Sequence, residues 1–185
     1  MRAPGDILRF WFSAEAEARW FKSTPAFDAR IAQLFGDTAA ALARGPFPHP
    51  LWEEDAPSSL ALVIALDQFP RNMFRGSRKA YAWDAQALGV AERLVERGFD
   101  MALSADRRKF AYMPFMHAED LQAQERCVAL CRDRLDDGGA TLGFAEEHRD
   151  IIARFGRFPH RNDELGRDST AEEIAFLEGG GFNPN

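Results

Sequence analysis

The sequence predicts an all-α protein, and three observations support this fold class. Apolar residues recur at helical spacing along most of the 185 residues and almost never alternate as they do in strands. Prolines stand where helices would begin, and glycines stand where they would end. A Ser-x-x-Glu pattern typical of a helix N-terminus occurs near residue 170. We therefore expect about eight mostly short helices in a single domain spanning residues 1–185, packed as antiparallel pairs in a solenoid or an irregular bundle.

The first part of the chain is predicted to hold two helices that begin with proline and a shorter one that follows them. Pro4 suits the first position of a helix that continues to Phe12, and Pro25 suits the first position of a second helix. We expect Gly36 to end this second helix, because glycine weakens a helix interior. Residues 39–44 are rich in alanine and predict a separate short helix.

Prolines also delimit the middle of the chain. Those within residues 46–50 exclude a helix there, so we expect a loop as far as Asp55. Asp55 or Ser58 can cap the helix that follows, and Pro70 is expected to end it, because the residue before a proline is disfavoured in helical geometry. A longer helix is predicted over residues 77–98.

The remaining helices are delimited by serine, proline and glycine. We expect Ser104 to cap a short helix that breaks before Pro114, which then begins the longest helix, ending at Leu135. The next helix is predicted to stop at Gly156. The last one opens with the capping box Ser169-Thr170-Ala171-Glu172, in which two side chains satisfy backbone donors at the helix N-terminus.

Composition limits the classes of protein that fit this chain. A net charge of −6 and a pI near 5.3 argue against binding to duplex nucleic acid, which depends on basic side chains that displace phosphate counterions. The longest aliphatic run, Leu60–Leu66, is far shorter than the ~20 residues of a membrane span. The only two cysteines, Cys127 and Cys131, exclude a secreted disulfide framework. We therefore expect a cytoplasmic protein without a membrane partner.

A short basic block occurs twice and predicts a binding site. Phe69-Pro70-Arg71-Asn72 returns as Phe158-Pro159-His160-Arg161-Asn162. Residues 68–79 contain four basic side chains and no acid, and residues 151–162 contain three and no acid. Clustered arginines match phosphate and carboxylate groups, so we predict that the blocks meet and bind a small anion or an acidic peptide terminus. The predicted ligand-binding residues are Arg71, Asn72, Arg75, Gln124, His148, Arg157, Arg161 and Asn162.

A third segment suggests catalysis as an alternative. Helical spacing would place His117, Asp120 and Gln124 on one face, where a histidine held by a carboxylate can act as a general base. His160 is a second candidate base, and the reaction would be hydrolysis of a phosphate or carboxylate compound. We expect no metal and no other cofactor, because no second His-carboxylate pair with metal-ligand spacing accompanies His117 and Asp120.

Two questions stay open from the residues alone. Arginine beside a helix C-terminus and asparagine in a turn are also purely structural devices, so every motif named above has a structural alternative. The two basic blocks would repel each other unless an anion or an acidic segment lay between them. We expect the segment His117–Asp120, which contains Glu119, to take that place.

Several long motifs resemble one known family. They are Leu8-Arg9-Phe10-Trp11-Phe12, Leu66-Asp67-Gln68-Phe69-Pro70-Arg71-Asn72, Tyr112-Met113-Pro114-Phe115-Met116-His117-Ala118-Glu119-Asp120 and Arg154-Phe155-Gly156-Arg157-Phe158-Pro159-His160-Arg161-Asn162. They resemble the signatures of the bacterial domain-of-unknown-function family 924 over nearly the whole chain. The resemblance implies an all-helical fold similar to the tetratricopeptide superfamily, a right-handed superhelix of helix pairs, and no established biochemical activity.

Overall fold

The computed structural model describes residues 1–181, which form helices and turns without a β-strand. The prediction of an all-α fold is confirmed. The α-helices in the described residues are α1 (Pro4–Trp11), α2 (Ala14–Glu17), α3 (Pro25–Ala43), α4 (Ala56–Val63), α5 (Phe69–Met73), α6 (Asp84–Glu96), α7 (Ala105–His117), α8 (Leu121–Arg134), α9 (Ala140–Phe155), α10 (Asn162–Leu165) and α11 (Ala171–Glu178). Among these residues, no helix is both long enough and apolar enough to cross a membrane.

Short turns of other helical types join several of these helices. A π-helical turn, Ile64–Gln68, continues α4 directly into α5. Three 3-10 turns follow at Arg78–Tyr81, Phe99–Ala102 and Pro159–Arg161. The π turn and the first and last of the 3-10 turns carry residues of the candidate site described below.

The hydrophobic core surrounds α4, which packs against α1, α6 and α7. Every side chain from Leu60 to Leu66 is fully buried, so the aliphatic run noted in the sequence is a core helix. Trp11 meets Phe69 and Phe110 edge-on, with ring centroids 5.8 and 5.7 Å apart. A smaller cluster of Ile151, Ile152 and Phe158, with Phe155 and Phe176 packed against it, lies beside the last helices.

The predicted break at Gly36 is wrong, because α3 runs without interruption from Pro25 to Ala43. A β-carbon at Gly36 would lie 3.7 Å from the sulfur of Met73 on α5. Glycine therefore allows α3 and α5 to approach closely, and this packing outweighs its low helix propensity. The predicted short helix at residues 39–44 is the C-terminal part of the same helix.

The predicted helix end before Pro70 is also wrong. The chain turns through the π-helical segment and remains helical to Met73. A proline lacks the N–H that an α-helix needs, and a π turn is one way in which a buried helix accommodates the irregularity. The carbonyl oxygen of Asp67 accepts a hydrogen bond of 2.7 Å from the guanidinium of Arg71, so a side chain supplies a donor for a backbone acceptor in the turn.

Pro114 likewise lies inside a helix, where a break was predicted. Helix α7 continues through it to His117, and α8 begins only at Leu121. Burial of every residue from Phe110 to Met116 offsets the backbone hydrogen bond that proline removes. This boundary also corrects the expectation that His117 and Asp120 share one helix, because Asp120 is the N-cap of α8 and accepts a hydrogen bond of 2.8 Å from the amide of Ala123.

Most predicted helix ends are close to those observed. Asp55 caps α4 by accepting a hydrogen bond of 2.7 Å from the amide of Ser58. Gly156 ends α9 with a φ angle of 70°, in the left-handed region that favours glycine. The last capping box is present but lies one residue later than predicted, with Thr170 as the N-cap and Glu173 as its reciprocal partner. Ser77 caps a 3-10 turn, and α6 begins only at Asp84.

Candidate functional site

The two basic blocks meet in space, as predicted. Arg71 donates two hydrogen bonds of 2.9 Å to the two carboxylate oxygens of Asp84. Nη1 of Arg161 lies 3.6 Å from Oδ2 of the same carboxylate. Both guanidinium groups also lie over the ring of Tyr81, at 5.8 and 4.6 Å from its centroid. Asp84 thus offsets the repulsion between two arginines that are 90 residues apart in the sequence.

The acid between the arginines is therefore different from the one predicted. The segment His117–Asp120 was expected there, but Glu119 contacts other parts of the second block. Its carboxylate accepts two hydrogen bonds, of 2.6 and 2.9 Å, from Arg167 and one of 2.8 Å from the amide of Phe158. Glu119 thus fastens the α7–α8 connection to the second block.

His117 forms a close pair with Asp67, which the π turn presents from inside the core. Nδ1 of His117 lies 2.8 and 3.1 Å from the two carboxylate oxygens of Asp67. Asp67 is fully buried, and the His117 side chain is 17% exposed. Arg71 lies 3.2 Å from Asp67, and the charges of Arg71 and His117 hold the pKa of Asp67 well below its usual range despite its burial. Since Nδ1 faces a carboxylate, Nε2 is the nitrogen of His117 that can accept a proton.

These side chains close into a ring of contacts. The ring centroids of His117 and His148 are 6.5 Å apart, and those of His148 and Phe158 are 5.6 Å apart. The guanidinium of Arg161 lies 4.5 Å from the centroid of Phe158, which completes the circuit through Asp84 and Arg71 back to Asp67. We refer to the seven side chains as the central ring: Asp67, His117, His148, Phe158, Arg161, Asp84 and Arg71.

Arg161 has the least satisfied guanidinium of the ring. The residue is only 5% exposed, and its Nε is buried without a hydrogen-bond partner in residues 1–181. The nearest carboxylate oxygen, on Asp84, is beyond hydrogen-bonding distance at 3.6 Å. Burial, followed by the charge of Arg71, lowers the pKa of Arg161 to about 10. The rings of Tyr81 and Phe158 hold the guanidinium in place through cation–π contacts.

Burial keeps the other two histidines of this region neutral. Nδ1 of His148 donates a hydrogen bond of 2.7 Å to the carbonyl oxygen of Phe144, and burial followed by the charge of His117 lowers the pKa of His148 to about 3. Burial followed by the charge of Arg161 lowers the pKa of His160 to about 4. The pKa of His117 is lowered too, by burial and by the charge of Arg71, although Asp67 opposes the shift.

In the first block, two of the predicted ligand-binding residues contact α3. Nδ2 of Asn72 donates hydrogen bonds of 2.7 Å to Asp28 and 3.2 Å to Ser23, and Nε of Arg75 donates one of 3.1 Å to Asp28. Asp28 lies in the first turn of α3, whose N-cap is Thr24. These contacts dock the block on the N-terminus of α3 and do not bring Asn72 or Arg75 into the central ring.

The second block repeats this arrangement at the N-terminus of α11. Nδ2 of Asn162 donates hydrogen bonds of 2.9 Å to Ser169 and 3.4 Å to Glu173. Arg157 donates hydrogen bonds of 2.6 and 2.8 Å to the two carboxylate oxygens of Glu173, which lies in the first turn of α11. Asn162 and Arg157 therefore have structural partners, as Asn72 and Arg75 do.

Gln124, the remaining predicted residue, binds the backbone on both sides of His117. Its Nε2 donates hydrogen bonds of 2.6 Å to the carbonyl oxygen of Met116 and 2.7 Å to that of Ala118, the residues on either side of His117. Gln124 is fully buried, and its Oε1 has no partner in the part of the chain that the structure describes. It fixes the C-terminal end of α7 and hence the backbone that carries His117.

Two clefts on the described surface lie apart from the central ring. One, of about 370 Å³, is lined mainly by residues of α1 and α3, and the other, of about 500 Å³, is lined mainly by residues of α9 and the end of the described chain. Neither is lined by a residue of the ring. Within residues 1–181, no group of three or more His, Cys, Asp or Glu side chains is placed to hold a metal ion.

The fold and the site together define an all-helical protein with a buried cluster of arginine, carboxylate and histidine side chains. The chain belongs to the family described as bacterial protein of unknown function (DUF924), whose profile matches residues 7–181. A solved structure of a protein of unknown function from Agrobacterium tumefaciens is 46% identical to it. That likeness covers 95% of this chain and 97% of the other, with a TM-score of 0.87. A search of curated proteins finds no match.

Four important residues of the site were absent from the predicted set: Asp67, Tyr81, Asp84 and Phe158. Asp67 has a signal in the sequence, because it is an acid directly after the apolar run Leu60–Leu66, and a carboxylate in a core is rare unless it is paired. Tyr81 and Asp84 carry no such signal. Their role depends on the position of the 3-10 turn and of α6 relative to both blocks, which only the tertiary structure gives.

Proposed function

We propose that the protein binds a small anion, either a carboxylate or phosphate group of a small molecule or the terminal carboxylate of a peptide, at Arg161. The observation that carries this proposal is a buried guanidinium without a hydrogen-bond partner for its Nε in the described residues. A buried polar group that lacks partners costs free energy, and a charged one costs more. An anion that accepts hydrogen bonds from Arg161 removes this cost when it binds.

Comparison with the other arginines supports the choice of Arg161. Arg71, Arg157 and Arg167 each donate two hydrogen bonds to a single carboxylate. Their guanidinium groups are already paired in the geometry that a ligand would use. Within the described residues Arg161 has no such partner, and two aromatic rings hold its guanidinium in place, so little conformational entropy is lost on binding.

Thermal unfolding tests the proposal. It is measured at constant ionic strength in the presence of acetate, phosphate or dipeptides with a free C-terminal carboxylate. A ligand at a hundredfold excess over its Kd stabilises the folded state by about 2.7 kcal/mol. For a domain of this size each kcal/mol raises Tm by about 2–4 °C, so a binding anion should raise Tm by about 5–11 °C.

Variants assign any such shift to the site. Arg161→Gln should abolish the shift, and Arg161→Lys, which keeps the charge without the planar fork, should retain part of it. Arg78→Gln is the matched control, because Arg78 belongs to the first basic block but is exposed and lies outside the ring. Arg71 is unsuitable for this test, since its loss would remove the guanidinium that pairs with both Asp67 and Asp84. The proposal fails if no anion shifts the wild type, or if Arg161→Gln responds as the wild type does.

The second candidate function is hydrolysis of a phosphate or carboxylate compound with a histidine base. The observation that favours it is the pair of His117 with Asp67. His160, the other predicted base, lies beside Phe158 with a ring-centroid distance of 5.6 Å, and burial lowers its pKa to about 4.

A further inference from the structure

The geometry points to Asp67 and His117 as a general-base dyad. The dyad hydrolyses an ester bond in a ligand whose separate, free carboxylate is held by Arg161. The inference rests on the proposed function, because Arg161 supplies the binding site. Beyond binding, it assigns ester hydrolysis as the reaction and gives a role to Asp67, which was absent from the predicted site residues.

The contact between Asp67 and His117 has the arrangement that a general base needs. The Nδ1–H group donates to a carboxylate at 2.8 Å, which fixes the tautomer and leaves the lone pair on Nε2. Asp67 cannot rotate away, because Gln68 donates a hydrogen bond of 2.6 Å to it and Arg71 lies 3.2 Å from it. Gln124 holds the backbone on both sides of His117.

The charges of the central ring favour a singly charged ligand. Asp67 and Asp84 balance Arg71 and Arg161, and the histidines of the ring are neutral near pH 7 because burial lowers their pKa values. Among the ring side chains, Nε of Arg161 is a buried donor without a partner in residues 1–181. Because the ring is neutral without a ligand, each added negative charge is uncompensated, and a carboxylate monoanion, which one planar guanidinium matches, adds one such charge where a phosphate monoester adds two. We therefore assign the substrate as a carboxylate monoanion with an ester bond within reach of Nε2.

The reaction uses water as its second substrate. Nε2 of His117 takes a proton from a water molecule while the water oxygen forms a bond to the acyl carbon, and the electron pair of the carbonyl bond moves to the carbonyl oxygen. When that pair returns, the bond from the acyl carbon to the ester oxygen breaks, and the imidazolium gives its proton to the leaving alcohol. Asp67 stabilises the imidazolium between the two steps, and the products are a carboxylic acid and an alcohol.

The pH dependence of turnover follows from the groups that face His117. These are Asp67 from the π turn, Arg71 from α5, Asp84 from α6 and His148 from α9. The balance of burial and Arg71 against the two carboxylates lowers the pKa of His117 below its usual value. The base is therefore mostly unprotonated at neutral pH, and kcat is expected to be constant there and to fall only at a pH below the usual histidine pKa of about 6.5.

A matched pair of substrates tests the inference on the full-length protein. 4-Acetoxybenzoate and phenyl acetate differ in one carboxylate, and release of the phenol is measured by absorbance. The expected result is faster turnover of 4-acetoxybenzoate, a loss of this preference in Arg161→Gln, and a decrease of kcat by about 100-fold or more in His117→Gln with little change in KM. His49→Gln is the histidine control, because His49 lies in the loop before α4 and outside the ring. 4-Nitrophenyl phosphate, a dianionic ester, should be turned over poorly.

A second measurement keeps the test decisive if these esters do not fit the site. In ¹⁵N-detected NMR spectra, His117 should be the Nδ1–H tautomer, and binding of 4-hydroxybenzoate or acetate should raise its pKa in the wild type and not in Arg161→Gln. If anions bind at Arg161 but neither ester is hydrolysed above the buffer rate and the pKa of His117 does not respond, the dyad inference is overturned and the proposed function stands. If no anion binds, both fail.

Discussion

Lowering the pH from 7 to 5 is expected to destabilise the folded protein by about 4 kcal/mol, because a buried histidine, His148, and a partly buried one, His160, stay neutral in the fold. The pKa of His148 is about 3 and that of His160 is about 4, whereas both titrate at about 6.5 in an unfolded chain. Below pH 6.5 the unfolded chain therefore binds more protons than the folded protein. The stability that these histidines contribute is complete above pH 6.5 and is lost as the pH falls towards 4.

The magnitude follows from the same values. Between pH 7 and pH 5, a group with a folded pKa of about 3 or 4 and an unfolded pKa of about 6.5 loses about 2 kcal/mol of its contribution. His117 adds to the loss in the same direction, since its pKa is also lowered. The paired carboxylates contribute little in this interval, because an unfolded Asp or Glu titrates near pH 4 and is still mostly ionised at pH 5.

Urea unfolding followed by far-UV circular dichroism measures the effect. The free energy of unfolding is determined at pH 7 and at pH 5 for the wild type and for His148→Gln, which removes one titrating group. The wild type should lose about 4 kcal/mol over this interval and His148→Gln about 2 kcal/mol, whatever the stability of the variant at pH 7. Arg78→Gln should lose as much as the wild type. An equal loss in the wild type and in His148→Gln would refute the assignment of a buried neutral histidine at this position.

Two further predictions concern the charges and the composition of the site. Asp84→Asn removes the carboxylate shared by Arg71 and Arg161, so it should lower the free energy of unfolding by about 2–3 kcal/mol, less than for a fully buried pair because the Asp84 side chain is 20% exposed. Acetate should then raise Tm more in this variant than in the wild type, and an equal rise would contradict the charge balance described for the ring. The dialysed, untagged protein should carry no stoichiometric transition metal, and about one equivalent of zinc, manganese or iron by elemental analysis would show this prediction to be wrong.

The sequence predicted the fold class and most helix ends because these depend on local features. Asp55 and Gly156 act where a capping residue and a left-handed glycine were expected. The failures at Gly36, Pro70 and Pro114 have one cause. Each residue disfavours a regular helix locally, but each lies in or against buried helical segments, where packing outweighs local preference.

The candidate site was predictable only in part, for a different reason. The repeated block identified the arginines, and the expectation that Arg71 and Arg161 would meet is confirmed. The sequence does not determine which acid pairs with which arginine, because Asp28, Asp84 and Glu173 are spread over three helices that the fold brings together. The functional importance of the eight predicted ligand-binding residues is still a prediction, although the structure now gives most of them a structural partner.

In each copy of the repeated block, the asparagine and the arginine before it have different roles. The asparagine has a structural role, and the arginine belongs to the candidate site. In each copy the asparagine bonds to the serine before a threonine N-cap and to an acid in the first helical turn, and a second arginine pairs with that acid. The asparagine thus docks a helix N-terminus, at α3 in one copy and at α11 in the other. The arginine that directly precedes it, Arg71 or Arg161, makes its contacts in the central ring instead.

The ring arginines of the two copies have different partners. Arg71 has Asp67 and Asp84 as partners. Arg161 lies beside Asp84 too, but both carboxylate oxygens of Asp84 already accept hydrogen bonds from Arg71. If the block served only to join helices, the second arginine could be any residue that packs between Tyr81 and Phe158, and an apolar side chain would avoid the cost of burying a charge. Under our proposal, a ligand supplies the hydrogen bonds that this guanidinium lacks within residues 1–181. The anion titration with Arg161→Gln therefore separates the two explanations of the block.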